Sequence, residues 1–440
     1  MKTLPSTFQE ALNNHKIVYT NILIFFDGVN DPVEINRNKF RVKNNKYTVN
    51  GGDGFPIGKS ICKTIELEID NTNFDFPNYD LYNAKIHLYS EIQVGTEYEK
   101  VLEGIFYVSD VDTPTQVINI TAYDFMIKTE LTNKIYTSVG GVQQWNNPWE
   151  YFVWLCDTHI ADGLDITLET GQHLYATHLG TDRFTNSTLS LESIPSGVND
   201  PEYTDREILG YIAQIASGNA VITYEGNYGE EEPKIDIVEY DLTNLNSGFI
   251  NGGVATRVIE DSISSGLVTS TITDSISGGD FSDIAYIILD KYIQSPKIQF
   301  ADVAYTGIQI GYDIKNPLPN QPKSYTKNTG TNENLLSLKN PILTQDAEDS
   351  TPLTDNTPIN NFLNALDAKI CNKDIRPFSG KFKGDITIEF MDIVVVIDRY
   401  GTAYNSFVTS HEYNYFGNSE IENNVPTVAR NNEKYYNRST

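Results

Sequence analysis

Residues 50–71 read NGGDGFPIGKSICKTIELEIDN, and the second half of that string decides the fold. Ile61, Lys63, Ile65, Leu67 and Ile69 fall at every second position, the period of a strand with one buried face. The first half, Asn50–Gly54 above all, is a glycine-rich turn. The pattern spreads in both directions. Lys16–Phe26 (KIVYTNILIFF) is β-branched and aromatic and ends on an Asp27-Gly28 turn, and Lys39–Val49 alternates weakly. Lys85–Ser90, Lys100–Val108 and Gln116–Tyr123 continue the meander. Roughly seven strands at this spacing predict a β-barrel or sandwich over residues 1–130.

The texture changes after residue 130. Asn147-Pro148 before WEYFVWL predicts a helix with Asn as its N-cap. Thr204-Asp205-Arg206-Glu207 is a capping-box pattern ahead of Ile208, Leu209, Ile212 and Ile215, with Gly218 as the expected stop. Gly171–Pro201 reads as loops and short strands. Val221–Glu225 and Lys234–Tyr240 flank the acidic tip GEEEP, a hairpin. Asn251 to Asp280 reads as a linker or loose turn-rich segment, and Tyr312–Glu333 as a loop. Thr357-Pro358 opens a helix with Ile359, Phe362, Leu363, Leu366 and Ile370 on one face, followed by strands to Phe416. The expected organisation is a first β-domain (1–130), an α+β insert (131–250), a linker and β-rich middle (251–350), a second β-region with a helix (351–425) and a flexible tail (426–440). The fold class is mostly β with α+β inserts, in several domains.

Composition agrees. A chain of 440 residues is too long for one core. Tyr (27) and Phe (20) far exceed Met (3) and Trp (3), which favours strands. The net charge of −27 repels phosphate and argues against specific nucleic-acid binding. By itself that charge fits either a solubility adaptation or a wall past which nucleic acid slides. Cys62, Cys156 and Cys371 make no disulfide framework and fit synthesis in a reducing cytoplasm. The N-terminus lacks an export-signal pattern, and the longest apolar runs, Ile22–Phe26 and Ile393–Ile397, are too short for stable membrane insertion.

No string carries chemistry. In a phosphate-binding P-loop a glycine stands five positions before the glycine of GKS; here that position is Asp53. Cys156 and His159 make a Cys-x-x-His pair without a second pair at metal spacing, and His173 and His178 lie five apart in a loop. The ordinary reading is a buried cysteine and a surface histidine. Asp110/Asp112 and Glu66/Glu68 sit two apart, so on a strand each pair shares one face, whereas catalytic carboxylates face each other across a cleft. Trp145, Trp149 and Tyr151 could stack on sugars, but their spacing more simply packs a helix. No catalytic, cofactor or metal residue is therefore assigned, and the chain is expected not to be an enzyme.

Several stretches together resemble the tail hub, or baseplate hub, proteins of phages and phage-derived particles. They are Phe55–Ser60 (FPIGKS) leading into the alternating strand and Asp70-Asn71, then Tyr79–Ala84, Leu102–Val108 (LEGIFYV) and Ile120–Met126 (ITAYDFM). Towards the C-terminus, the Pro358–Ile370 helix leads into Ile375–Phe378 (IRPF), and the last strand ends in Phe416-Gly417. Met391-Asp392 stands where hubs often have Gly-Asp, a departure that bears on the turn rather than the strand. Residues 135–350 are unmatched. The resemblance implies two tail-tube-like β-barrel domains per subunit and a homotrimer closing the tail tube at its tip. It also implies contacts with a distal tail or tail tube ring, the C-terminus of a tape measure protein and a spike or tip protein. The setting would be the virion tail tip, with an acidic lumen for DNA and no cofactor. A carbohydrate-binding or receptor-binding β-protein is the competing reading.

Overall fold

Lys63–Asp70 does form a strand, with Ile65, Leu67 and Ile69 buried and Glu66 exposed. Burial contributes about 1.5–3 kcal/mol per large apolar side chain, so this one face anchors the sheet. The computed structural model describes residues 4–13, 18–27, 31–35, 42–52, 55–72, 81–112, 116–130, 144–145, 147–180, 184, 191–192, 203–240, 242, 256–264, 267–275, 284–287, 296–299, 303–315, 324–329, 334–346, 357–383, 388–398, 403–414 and 418–425.

The first third comprises helix α1 (Ser6–Asn13) and strands β1 (Val18–Phe25), β2 (Val33–Ile35), β3 (Val42–Asn50), β4 (Lys63–Asp70), β5 (Lys85–Val94), β6 (Glu97–Val111) and β7 (Val117–Asp124). A 3-10 turn, Phe125–Glu130, follows. The middle holds β8 (Gln144–Trp145), α2 (Pro148–Trp154), β9 (Leu191–Glu192), α3 (Asp205–Ile215), and the hairpins β10 (Gly218–Glu225)–β11 (Glu232–Glu239) and β12 (Thr256–Ser264)–β13 (Leu267–Ser275). Then come β14 (Ile284–Ile287), β15 (Lys297–Ile298), β16 (Gly307–Lys315), β17 (Ser324–Asn328) and β18 (Leu335–Asp346). The chain closes with α4 (Thr357–Ile370), β19 (Phe378–Lys383), β20 (Ile393–Ile397), β21 (Ala403–Phe407), β22 (Ser410–Asn414) and β23 (Asn418–Asn423). The protein is mostly β.

The two β-rich ends share one sheet of order β15-β19-β23-β22-β3-β4-β7-β6-β5-β1-β2. They join where Lys46–Asn50 pairs antiparallel with Ser410–Asn414. The sheet curls strongly. Phe8 of α1 is buried against both Ile92 of β5 and Tyr413 of β22, strands with four others between them in the order. No described strand pair closes the curl into a barrel. Its concave side packs Ile22, Ile24, Ile65, Leu67, Ile86, Leu88, Phe106 and Ile120 into one cluster.

A larger core unites the rest. The apolar faces of α2, α3 and α4 meet there, with Phe152, Leu209, Ile212, Phe362 and Leu366 packed beside Phe55, Ile57 and Phe407. The helix starts follow the sequence: Asn147 caps α2 by accepting from the Trp149 N–H, and Thr204 and Glu207 form the capping box of α3. Beyond Trp154, α2 continues through a π-helical stretch, Leu155–Ile160, and a last turn to Gly163, farther than the apolar run announces.

Four expectations change. Gly218 is not the stop of α3: the left-handed residue is Ser217 (φ +62°), and Gly218 opens β10. Gly218 is required by a close approach, since a Cβ there would sit 2.3 Å from the Val238 carbonyl oxygen. The linker expected over 251–280 contains a regular hairpin, β12–β13, with nine residue pairs. The loop expected over Tyr312–Glu333 holds the end of β16 and all of β17; local Asn and Lys lose to pairing with a neighbour. The acidic tip is not wholly exposed either. Glu231 turns inward and accepts from the Tyr89 hydroxyl (2.7 Å) and the Gly229 N–H (2.8 Å), with His87 Nδ1 at 3.2 Å. Burial, aided by the Lys85 charge, holds His87 down to about 4. The expected tail, 426–440, lies outside the described residues.

Ser217 adopts its left-handed conformation with a side chain that favours other regions. Ser217→Gly is expected to raise unfolding stability by about 0.5–1 kcal/mol in urea titration; an unchanged or lower midpoint counts against that strain.

Candidate functional site

The resemblance string Phe55–Ser60 is the joint between three parts of the chain. Its backbone leaves the sheet and pairs with the insert: Gly58 N–H donates to the Gly218 carbonyl (2.9 Å), Ile61 N–H to Ala220 (2.8 Å), and Ala220 N–H back to Lys59 (2.8 Å). Lys59 N–H donates to Asn219 Oδ1 (2.8 Å), while Asn219 Nδ2 donates to the Pro56 carbonyl and lies 3.0 Å from Met391 Sδ. Ser60 Oγ donates to the Arg206 carbonyl, and Arg206 Nε donates to the Ser60 carbonyl (3.2 Å). Helix α3 lies so close that a Cβ on Gly210 would meet Gly58 O at 2.6 Å.

Other resemblance residues also have structural work. Asp124 of ITAYDFM is fully buried and accepts from the Lys63 and Met126 N–H groups (both 3.0 Å), fixing the start of β4 and the 3-10 turn. Desolvation pushes its carboxyl up to about 6 despite those bonds. Met391, at the place of the expected glycine, has φ +73°, the backbone conformation that glycine adopts without cost. Its side chain is buried in the larger core.

The N–H groups of Gly58, Lys59 and Ile61 are all taken by protein acceptors, so they cannot cradle a phosphate; Asp53 lies outside the described residues. Cys156 is buried as expected, but His159 is buried too, stacked on Trp154 (5.1 Å, 11°) with Nε2 3.4 Å from Asp205 Oδ1. The π-helical stretch turns it inward, and burial lowers its basicity. His173 and His178 do not converge: their carboxylate neighbours are Asp157 (2.6 Å) and Asp236 (3.3 Å) respectively. Among the described residues no three His, Cys, Asp or Glu side chains gather as a metal site. Trp149 packs on Phe152, Tyr175 and Phe184, and Tyr151 is buried. The Trp145 side chain lies outside the described residues. Asp112 accepts from Asn119 Nδ2 (2.8 Å), while Asp110 and Glu66 point to solvent.

What the strands assemble is a charged face. Residues paired directly across strands share a face. Register places Asp110 with Thr121, Thr121 with Glu66, Glu66 with Lys46, and Glu68 with Asn119. Across the join, Glu412 pairs with Thr48 and with Glu420, Glu420 with Lys381, and Glu422 with Ser410. One convex face thus carries Glu66, Glu68, Asp110, Glu412, Glu420 and Glu422. Lys46 and Lys381 on the same face are bound to Glu412 (3.1 Å) and Glu420 (3.0 Å). The bond to Glu412 raises the Lys46 pKa, with Glu66 and Glu420 adding to it. The sequence displays Glu66/Glu68 and the alternating NSEIEN around Glu420 and Glu422; only the register shows that they share a surface.

The sequence matches no protein-family model and no curated protein. In structure the chain is similar to the 43 kDa tail protein of prophage MuSo2 from Shewanella oneidensis, at 10% identity and a TM-score of 0.43, over 91% of this chain and 97% of that one. It is similar to prophage tail protein gp18 from Listeria monocytogenes EGD-e, at 10% identity and 0.44, over 92% and 94%. It is also similar to a chain of the Francisella PdpA-VgrG complex, at 10% identity and 0.41, over 94% of this chain and 54% of that one.

Two outcomes test the joint. Gly210→Ala should cost about 1–3 kcal/mol of stability through overpacking, read by thermal melting. Asp124 ionises in the fold near 6 and in the unfolded chain near 3.9, so its burial penalty acts above 6 and is relieved as pH falls towards 4. Asp124→Asn should therefore remove about 2–3 kcal/mol of the stability gained between pH 7 and 4; identical slopes for both proteins would show that the carboxyl titrates normally.

Proposed function

We propose that this chain is the structural hub of a phage-type tail: three copies form a ring that closes the tail tube at its tip. On this reading residues 1–130 and 351–425 form the tube-like part, and 131–350 face outward to neighbouring tail proteins. The partners are a distal tail or tube ring, the end of a tape measure protein, and a spike or tip protein. The role is structural rather than catalytic.

The observation that carries the reading is the single sheet built from both resemblance-bearing ends, with its acidic convex face. An acidic wall repels the phosphates of passing DNA, most strongly at low salt. A ring also disposes of sheet edges, which otherwise invite aggregation. Phe55–Ser60, Asp124 and Met391 of the resemblance strings support the same reading, because they occupy joints and turns that shape this sheet. A carbohydrate-binding module would need an aromatic-lined groove, and Trp149 and Tyr151 instead pack inward.

Negative-stain electron microscopy of the purified protein at high concentration, with native mass spectrometry, tests this. Three-lobed rings with a central hole and a trimer mass are expected. Compact monomers at every concentration, also in the presence of the neighbouring tail proteins, would overturn the reading in favour of a binding module.

A further inference from the structure

Leu335–Lys339, five consecutive residues of β18, line a cleft of about 900 Å³. Successive residues of a strand point to opposite faces, so a strand lends five in a row to one cavity only through its edge. The far edge is occupied by β16, whose Gly307–Gly311 run parallel to Leu335–Lys339. On the near edge β9 meets β18 only at Leu343. Among the described residues, no strand therefore takes the outward N–H and C=O groups of 335–339.

The walls specify a ligand. Phe55, Ile57, Tyr211 and Tyr305 make one side apolar, and Leu336 and Leu338 are turned away from solvent on β18. Ser337 and Lys339 are exposed on the opposite face of the strand. Of the charged groups present, Arg206 is bound to Glu130, and Glu207 accepts from the Thr204 N–H (2.8 Å). The exposed ammoniums of Lys59 and Lys339 have no ion-pair partner among the described residues. The lining thus carries Lys59, Arg206 and Lys339 against Glu130 and Glu207, an excess of one positive charge in a chain whose net charge is −27.

We infer that the β18 edge is a docking site for an extended segment of another protein, apolar and acidic at alternate positions, which adds as a further strand. Main-chain bonds to 335–339 supply affinity, and the alternation supplies specificity: apolar side chains face Leu336 and Leu338, and carboxylates face Lys339. This site is independent of the hub reading, since docking on the β18 edge needs no ring.

The test is fluorescence anisotropy of the full chain with a labelled octapeptide alternating Val and Glu, against a twin alternating Val and Lys. Binding of the Glu peptide is expected at concentrations up to about 1 mM, at least about tenfold tighter than the twin. Lys339→Glu, an exposed substitution that leaves the fold intact, should weaken it by about the same factor. Equal affinity for the twins, no binding of either, or an unchanged Lys339→Glu variant would each overturn the proposal. So would a change in the oligomer mass of Lys339→Glu without a change in peptide affinity, which would assign the edge to a second copy of this chain.

Discussion

The fully buried carboxamide of Asn219 ties together what the chain order keeps apart. Its oxygen accepts from Lys59 and its nitrogen serves Pro56 in the N-terminal part, while Met391 of the C-terminal part lies against it. An irregular, partly buried segment such as Phe55–Ser60 has no ladder of its own, and each buried polar group left unmade there would cost about 1–3 kcal/mol. Asn219 and the ends of β10 supply those partners. The departure of the chain from the sheet, the seating of α3 against Gly58 and the shape of the adjoining cleft all follow from that arrangement.

The same logic explains why resemblance strings without chemistry are short and scattered. Asp124 ends a strand and caps a turn; Gly58 and Met391 hold left-handed backbone; Ser60 and Arg206 exchange bonds across the joint. Each is a point where the backbone changes direction, and each tolerates few side chains. The faces between them need only alternate apolar and polar residues, which many sequences satisfy.

Much of this was legible in advance where the signal is local. The alternation in β4, the caps at Asn147 and Thr204 and the apolar stripe of α4 are written within a few residues. What stayed hidden was decided elsewhere in the chain. The Tyr312–Glu333 segment looked like a loop because its Asn and Lys are poor strand formers, yet Gln309–Asp313 pairs with Ser324–Asn328. A lone histidine reads as a surface residue, and the π-helical stretch that carries His159 has no sequence signature. The acidic face was half visible: the alternating carboxylates are in the sequence, but their meeting across β3 and β22 depends on a register set by non-local pairing.

That pairing has a temporal side. Val49 and His411 are partners about 360 residues apart, and at 5–20 residues per second a ribosome takes roughly 20–70 s to make that stretch. Throughout that interval the edge of β3 waits without its neighbour, so the nascent chain must be shielded from self-association or kept dilute. Completion of the sheet thereby waits on the synthesis of β22: until that strand is made, the joined face does not exist.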